Sequence, residues 1–118
     1  MIDPKEVRAF LPMQTAEFHI LLSLSGDDRH GYAIIQDVAM RSAGEVKLSA
    51  GTLYRTIQRL LDNGLIVELR KRPSDDDDPR RRYYRITDLG MAVARAEAAR
   101  LAALVKMARS CGLAPGKA

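Results

Sequence analysis

The chain has 118 residues, of which 47% are hydrophobic and 29% charged, a balance that fits one globular domain and excludes a large multidomain enzyme, wholesale disorder and a collagen-like repeat. Nineteen Lys and Arg against 15 Asp and Glu give a formal net charge of +4, which admits a polyanionic partner without requiring one. The single cysteine, Cys111, cannot form an internal disulfide, and Ile2-Asp3-Pro4-Lys5 does not read as a secretory leader. Two histidines, His19 and His30, leave a soft metal short of ligands. The expectation is a cytoplasmic protein with no metal and no cofactor.

Taken in chain order, Asp3-Pro4-Lys5-Glu6 places an N-cap carboxylate before a proline at the first helical position, so residues 3 to 10 are expected as a short helix within an N-terminal extension, residues 1–14. Thr15 to Ser25 is apolar at helical spacing through Phe18, Leu21, Leu22 and Leu24, and Ser25-Gly26-Asp27-Asp28 closes it as a turn. Gly31 to Ser42 repeats the pattern with Tyr32, Ile34, Ile35 and Val38, then breaks at Ala43-Gly44. Val46-Lys47-Leu48 reads as a short strand, and Ser49 offers an N-cap for a helix over residues 50 to 63. Gly64 suits a left-handed stop, with Leu65 folding back on Leu60 or Leu61.

Leu65, Val67 and Leu69 alternate with Ile66, Glu68 and Arg70, and Tyr84 and Ile86 alternate with Tyr83 and Arg85, which predicts the two strands of a hairpin. Its loop, Pro73 to Pro79, is too long and polar for a tight turn, so a mobile tip is expected. Thr87 caps a last helix, residues 88–110, of about 23 residues and roughly 34 Å. On a helical wheel Leu89, Val93, Leu101, Leu104, Val105 and Met107 share a broad arc, more than one small domain can cover, and are expected to form a dimerisation surface. Arg95, Glu97, Arg100 and Lys106 interrupt this Ala-rich stretch, so no membrane span is expected. Residues 111–118 read as a flexible tail.

This order defines the fold class: mainly α with a small antiparallel β-hairpin, a winged helix-turn-helix over residues 15–87 followed by a long C-terminal dimerisation helix. In the third helix of the motif Leu53, Ile57, Leu60 and Leu61 fall within about 100° and face inward, which turns Thr52, Arg55, Thr56, Gln58 and Arg59 outward. That outer face is either merely solvated or reads base edges, for which Arg, Gln and Thr have suitable groups. Residues 70 to 85 hold seven basic side chains, Arg70, Lys71, Arg72, Arg80, Arg81, Arg82 and Arg85, against four acids, a cluster suited to phosphates. The four acids are the run Asp75 to Asp78. It either points away from DNA, screens the arginines, or binds a divalent cation, although the spaced oxygens and turn glycine of such a site are missing.

His30-Gly31-Tyr32-Ala33-Ile34, Gly51-Thr52-Leu53-Tyr54 with Arg59-Leu60-Leu61 and Gly64-Leu65-Ile66, and Arg81-Arg82-Tyr83-Tyr84-Arg85-Ile86-Thr87 with Leu89-Gly90 together resemble the PadR family of bacterial transcriptional regulators, from about Phe18 to Arg109. The resemblance implies a winged-helix homodimer on an inverted-repeat DNA operator, a repressor relieved by a small-molecule effector, with the single C-terminal helix of the short subgroup. It implies DNA contacts led by Thr52, Tyr54, Arg55 and Arg59, joined by Ser49, Gln58, Arg70, Lys71, Arg80, Arg81 and Arg82. Tyr54 and Tyr32 are read either as core rings or as phosphate contacts through their hydroxyls, and His30 as organising a helix start. The planar-drug site between tryptophans known in some short members is not implied, since the chain has no Trp. A winged-helix protein-interaction module without DNA binding is the alternative. An enzyme is not expected, because Ser23, Ser25, Ser42, Ser49 and Cys111 have no His and carboxylate set beside them in any recognisable motif.

Overall fold

The computed structural model describes residues 1–70 and 78–113. Five helices and three short strands follow in the order α1 Pro4–Arg8, α2 Thr15–Leu24, β1 Arg29–His30, α3 Gly31–Arg41, α4 Ala50–Asp62, β2 Ile66–Glu68, β3 Tyr83–Ile86 and α5 Asp88–Ser110. Lys71, Arg72 and the acidic run as far as Asp77 lie outside the described residues, as does the tail beyond Leu113.

The helix ends form where local chemistry dictates. Asp3 caps α1 by accepting the Lys5 N–H at 2.9 Å, ahead of Pro4. Ser49 Oγ accepts the Thr52 N–H at 3.1 Å and Thr87 Oγ1 the Gly90 N–H at 3.0 Å, each satisfying a donor that the first helical turn leaves open. At the end of α4, Gly64 has φ +73°, the Leu65 N–H reaches the Leu60 carbonyl at 2.9 Å, and the Gly64 N–H reaches that of Leu61 at 3.1 Å. This is the Schellman stop expected from the sequence.

The sheet departs from expectation. Its order is β1-β3-β2, all antiparallel, and the third strand is Arg29–His30, paired with Tyr84 and Tyr83. Val46–Leu48 is not a strand. There the Val46 N–H donates to Ser42 Oγ at 3.0 Å and Leu48 is buried, so the segment links α3 to α4. In the first hairpin strand burial does not follow the alternation of Leu65, Val67 and Leu69. Leu65 is buried by the Schellman stop, Ile66 is the inward residue of β2, and Val67 is exposed.

The core joins Ile20, Leu21 and Leu24 of α2, Ile34 and Val38 of α3, Leu53, Ile57 and Leu60 of α4, and Leu65, Ile66, Tyr84 and Val93. Each large aliphatic side chain so buried contributes about 1.5–3 kcal/mol, which fixes α4 with its opposite face to solvent. Gly90 packs so closely on the Leu65 backbone carbonyl that a Cβ there would collide with it. Beyond Glu97, α5 leaves the body, and the expected apolar arc divides. Val93 is fully buried and Leu89 partly buried in the chain's own core, whereas Leu101, Leu104, Val105 and Met107 are exposed. The projection gives a radius of gyration of 15.8 Å, against about 13–14 Å for a compact domain of this length.

Candidate nucleic-acid interface

Three elements converge on one face. The start of α3, the outer side of α4 and the strand side of the wing enclose a cleft of about 440 Å³, lined by Tyr32, Tyr54, Gln58, Glu68, Tyr84 and Arg80 to Arg82 among others. His30 opens α3 by accepting the Ala33 N–H on Nδ1 at 3.2 Å, so it organises that helix start, and its ring meets Tyr83 edge to face at 5.2 Å. Gly31 follows directly, and a Cβ on it would strike the Tyr54 ring, so the absence of a side chain lets α3 and α4 approach. Tyr32 and Tyr54 are both more than half exposed, which sets aside the reading of either ring as core. Tyr84 is buried, and burial, followed by the nearby Glu68 carboxylate and Tyr54, pushes its hydroxyl above the usual pKa.

On α4, Ser49, Tyr54, Arg55, Gln58 and Arg59 are exposed and Thr52 is half-buried. Thr56, expected outward, is buried, and its hydroxyl is satisfied by donating to the Thr52 carbonyl at 2.7 Å. Ser49 Oγ also donates to Thr52 Oγ1 at 3.1 Å, and Arg55 Nη2 approaches the same oxygen at 3.5 Å. Farther along, Gln58 donates to Asp62 Oδ1 at 2.9 Å. Arg59 turns back to α2, where Nη1 donates to Gln14 Oε1 at 2.6 Å and lies 3.7 Å from Glu17 Oε2.

The wing's cations meet carboxylates. Arg80 makes a two-pronged contact with Asp78 at 3.2 and 3.1 Å. The Arg80 side chain and backbone N–H hold the Asp78 carboxyl down at about 2. Asp78 is thus the one member of the acidic run with a described role: it folds the wing's return and screens an arginine. Arg82 lies 3.8 Å from Glu68. Arg85, counted in the basic cluster, is clamped instead by Asp28 through bonds of 3.0 and 2.7 Å. Arg70 and Arg81 are exposed on the same wing, and Lys71 lies outside the described residues. Among the described residues no helix is long and apolar enough to cross a membrane, and no group of three His, Cys, Asp or Glu is placed to hold a metal ion.

The sequence did not reveal Gln14, Glu17 and Asp28 as partners of the interface arginines. The spacing of Gln14 and Glu17 carried a signal as a helix-start pair, and the Gln14 N–H does bond Glu17 Oε1 at 3.0 Å. Nothing local connected that pair to Arg59.

Comparison with known proteins agrees with this geometry. The profile described as "Transcriptional regulator PadR-like family" matches residues 20–96. A protein of Lysinibacillus sphaericus described as uncharacterized is 37% identical over 73 residues, which is 62% of this chain and 65% of that relative's length. Among solved structures, a transcriptional regulator from Clostridium thermocellum superposes with a TM-score of 0.69 at 24% identity, covering 93% of this chain and 97% of that one. Bacillus subtilis PadR in complex with operator DNA superposes with a TM-score of 0.59 at 20% identity, over 76% of this chain and 48% of that one.

Proposed function

The chain belongs to the PadR-like family of transcriptional regulators, and on that premise we propose that it is a sequence-specific DNA-binding repressor, acting as a homodimer on an inverted-repeat operator and released by a small-molecule effector. The observation that carries the DNA reading is the shared orientation of two unlike surfaces. The side of α4 that carries Tyr54 and Gln58 lines one wall of a cleft whose other wall is the wing with Arg80, Arg81 and Arg82, and the polar surface of the same helix continues outside that cleft through Ser49, Thr52 and Arg55. A recognition helix about as wide as the major groove supplies base contacts, while the wing's arginines supply phosphate contacts that fix its register. The dimer reading is supported by the exposed aliphatic side chains of α5. Two-fold pairing there would carry two copies of α4 to neighbouring half-sites, about 34–36 Å apart or a multiple of that.

A second reading, a protein-interaction module, draws on the carboxylates of Asp78, Glu68 and Asp28, which already engage wing arginines. Selection of duplexes from a random library by the purified protein decides between them. Enrichment of an inverted repeat is expected, with log Kd linear in log salt. Replacing both Arg81 and Arg82 by Ala should weaken binding to all sequences alike and lower the salt slope by about 2. Failure to bind any duplex at low salt would move the assignment to the protein-interaction reading.

A further inference from the structure

We infer that Arg59 positions the recognition helix and does not read a base, so that discrimination falls to the first two turns of α4, through Thr52 and Arg55. The inference rests on the DNA-binding reading above and divides its interface into readers and a brace.

The guanidinium of Arg59 is already committed. It donates to Gln14 Oε1 at 2.6 Å and stands 3.7 Å from Glu17 Oε2, while Glu17, whose side chain is only 13% exposed, also accepts the Gln14 N–H. Arg59 therefore closes a network that ties the last turn of α4 to the N-cap and first turn of α2, across 45 positions of sequence. A base contact would require it to leave both partners and strand a half-buried carboxylate without its cation, which is costly for a poorly solvated charge. Gln58 is engaged in a like manner by Asp62, one turn on.

The first two turns are built differently. Among the described residues the only hydrogen bond of the Arg55 side chain is to Thr52 Oγ1, at the long distance of 3.5 Å, with no carboxylate partner. Its guanidinium lies along Gly51, where an added Cβ would come within 3.3 Å of Nη1, so the bare first turn gives this arginine room to swing. Recognition helices reach base edges mainly with their N-terminal residues. Arg55 is the long cation at that end, able to pair with guanine through two parallel bonds.

The test uses the full-length protein, the duplex it selects from a random library, and all single base-pair variants of that duplex. Arg55→Ala should lower discrimination at one base pair of each half-site by roughly fivefold to 150-fold. Arg59→Ala should weaken the selected duplex and its variants together, by up to about tenfold, with no single base pair singled out. Gln14→Ala should do the same, the double variant should be no weaker than either single one, and Arg59→Lys should restore part of the affinity. All affinities are read well below each variant's melting temperature, where a role confined to stability would leave them unchanged. Loss of preference at one base pair in Arg59→Ala, or additive effects of Arg59→Ala and Gln14→Ala, would overturn the inference. If the wild-type chain selects no duplex, the DNA-binding reading fails. The brace is then judged by whether Arg59→Ala and Gln14→Ala lower the melting temperature non-additively, and additivity there refutes it.

Discussion

Val93 and Val105 are the same residue type on the same helix, twelve positions apart, yet Val93 is 0% exposed and Val105 45%. Over its first ten residues α5 belongs to the winged-helix body, with Gly90, Val93 and Glu97 buried. Past Glu97 it presents Leu101, Leu104, Val105 and Met107 to solvent. A free helix of that length is marginal in water. Here the buried first half nucleates it, and only propagation is left to the exposed half. The difference teaches that helicity and burial are separable along one element. The body specifies the helix, while the exposed apolar stripe is the surface on which the proposed dimer depends.

The sharpest way to break this division is to place the same substitution on both sides of it. Val93→Asp sets an uncompensated charge in the core and should cost about 3–5 kcal/mol, a large share of the roughly 5–15 kcal/mol that holds such a domain. Urea unfolding should show a midpoint shifted far down or no folded baseline. Val105→Asp should leave the body folded and convert the proposed dimer to a monomer in sedimentation equilibrium. A Val105→Asp protein that unfolds like Val93→Asp, or that stays dimeric, would erase the distinction between the two halves.

Glu97 stands at the border, and its effect should be the next largest. Its carboxylate takes two bonds from Arg100, at 2.7 and 2.8 Å, and the Met13 N–H at 3.4 Å. Arg100 first, and the Met13 N–H with it, hold its pKa below the ordinary 4.5 against the opposing pull of burial. A carboxyl whose pKa is lower folded than unfolded stabilises the chain above the unfolded value and loses that contribution as pH falls through the folded one. Glu97→Gln should therefore cost about 1.5–3 kcal/mol at pH 7, and the gap to wild type should narrow as pH falls below 4.5 in urea titrations. A gap that persists unchanged in acid would show that the charge of Glu97 is not what ties α5 to the N-terminal arm.

What the sequence made legible was local. The caps at Asp3, Ser49 and Thr87 and the stop at Gly64 depend on neighbours within four residues, and the winged-helix order followed from them. Arg29–His30 was missed as a strand because two residues carry no periodicity, and its partners Tyr83 and Tyr84 come more than fifty positions later. Thr56 was misplaced because a wheel treats a polar residue at the edge of an apolar arc as solvated, whereas its hydroxyl finds the Thr52 carbonyl and can be buried. Val93 could be read as apolar but not assigned to its own core or to a partner. Arg59 and Arg85 could be read as cations, but their carboxylate and amide partners are set by tertiary packing, so the basic surface looked freer than it is.

The smallest expected effect sharpens the same contrast between enclosed and open sites. Asp28 and Arg85 form a two-pronged pair at 3.0 and 2.7 Å, close to the geometry of Glu97 and Arg100. The Asp28 side chain is 29% exposed, whereas that of Glu97 is 3%. Arg85, through its hydrogen bonds first, lowers the Asp28 pKa below 3.8, so this pair too weakens as pH falls through the folded value. Water and salt screen the open pair, and holding two long side chains together costs entropy, so Asp28→Asn should destabilise by only about 0.2–1 kcal/mol. In 1 M NaCl, where the Debye length is about 3 Å, that difference should vanish while the Glu97→Gln deficit persists. Equal salt sensitivity of the two deficits would mean that enclosure does not set their worth. Because Asp28→Asn releases Arg85 toward the wing, it should also raise affinity for all duplexes alike, and a change confined to one sequence would point instead to a direct base contact.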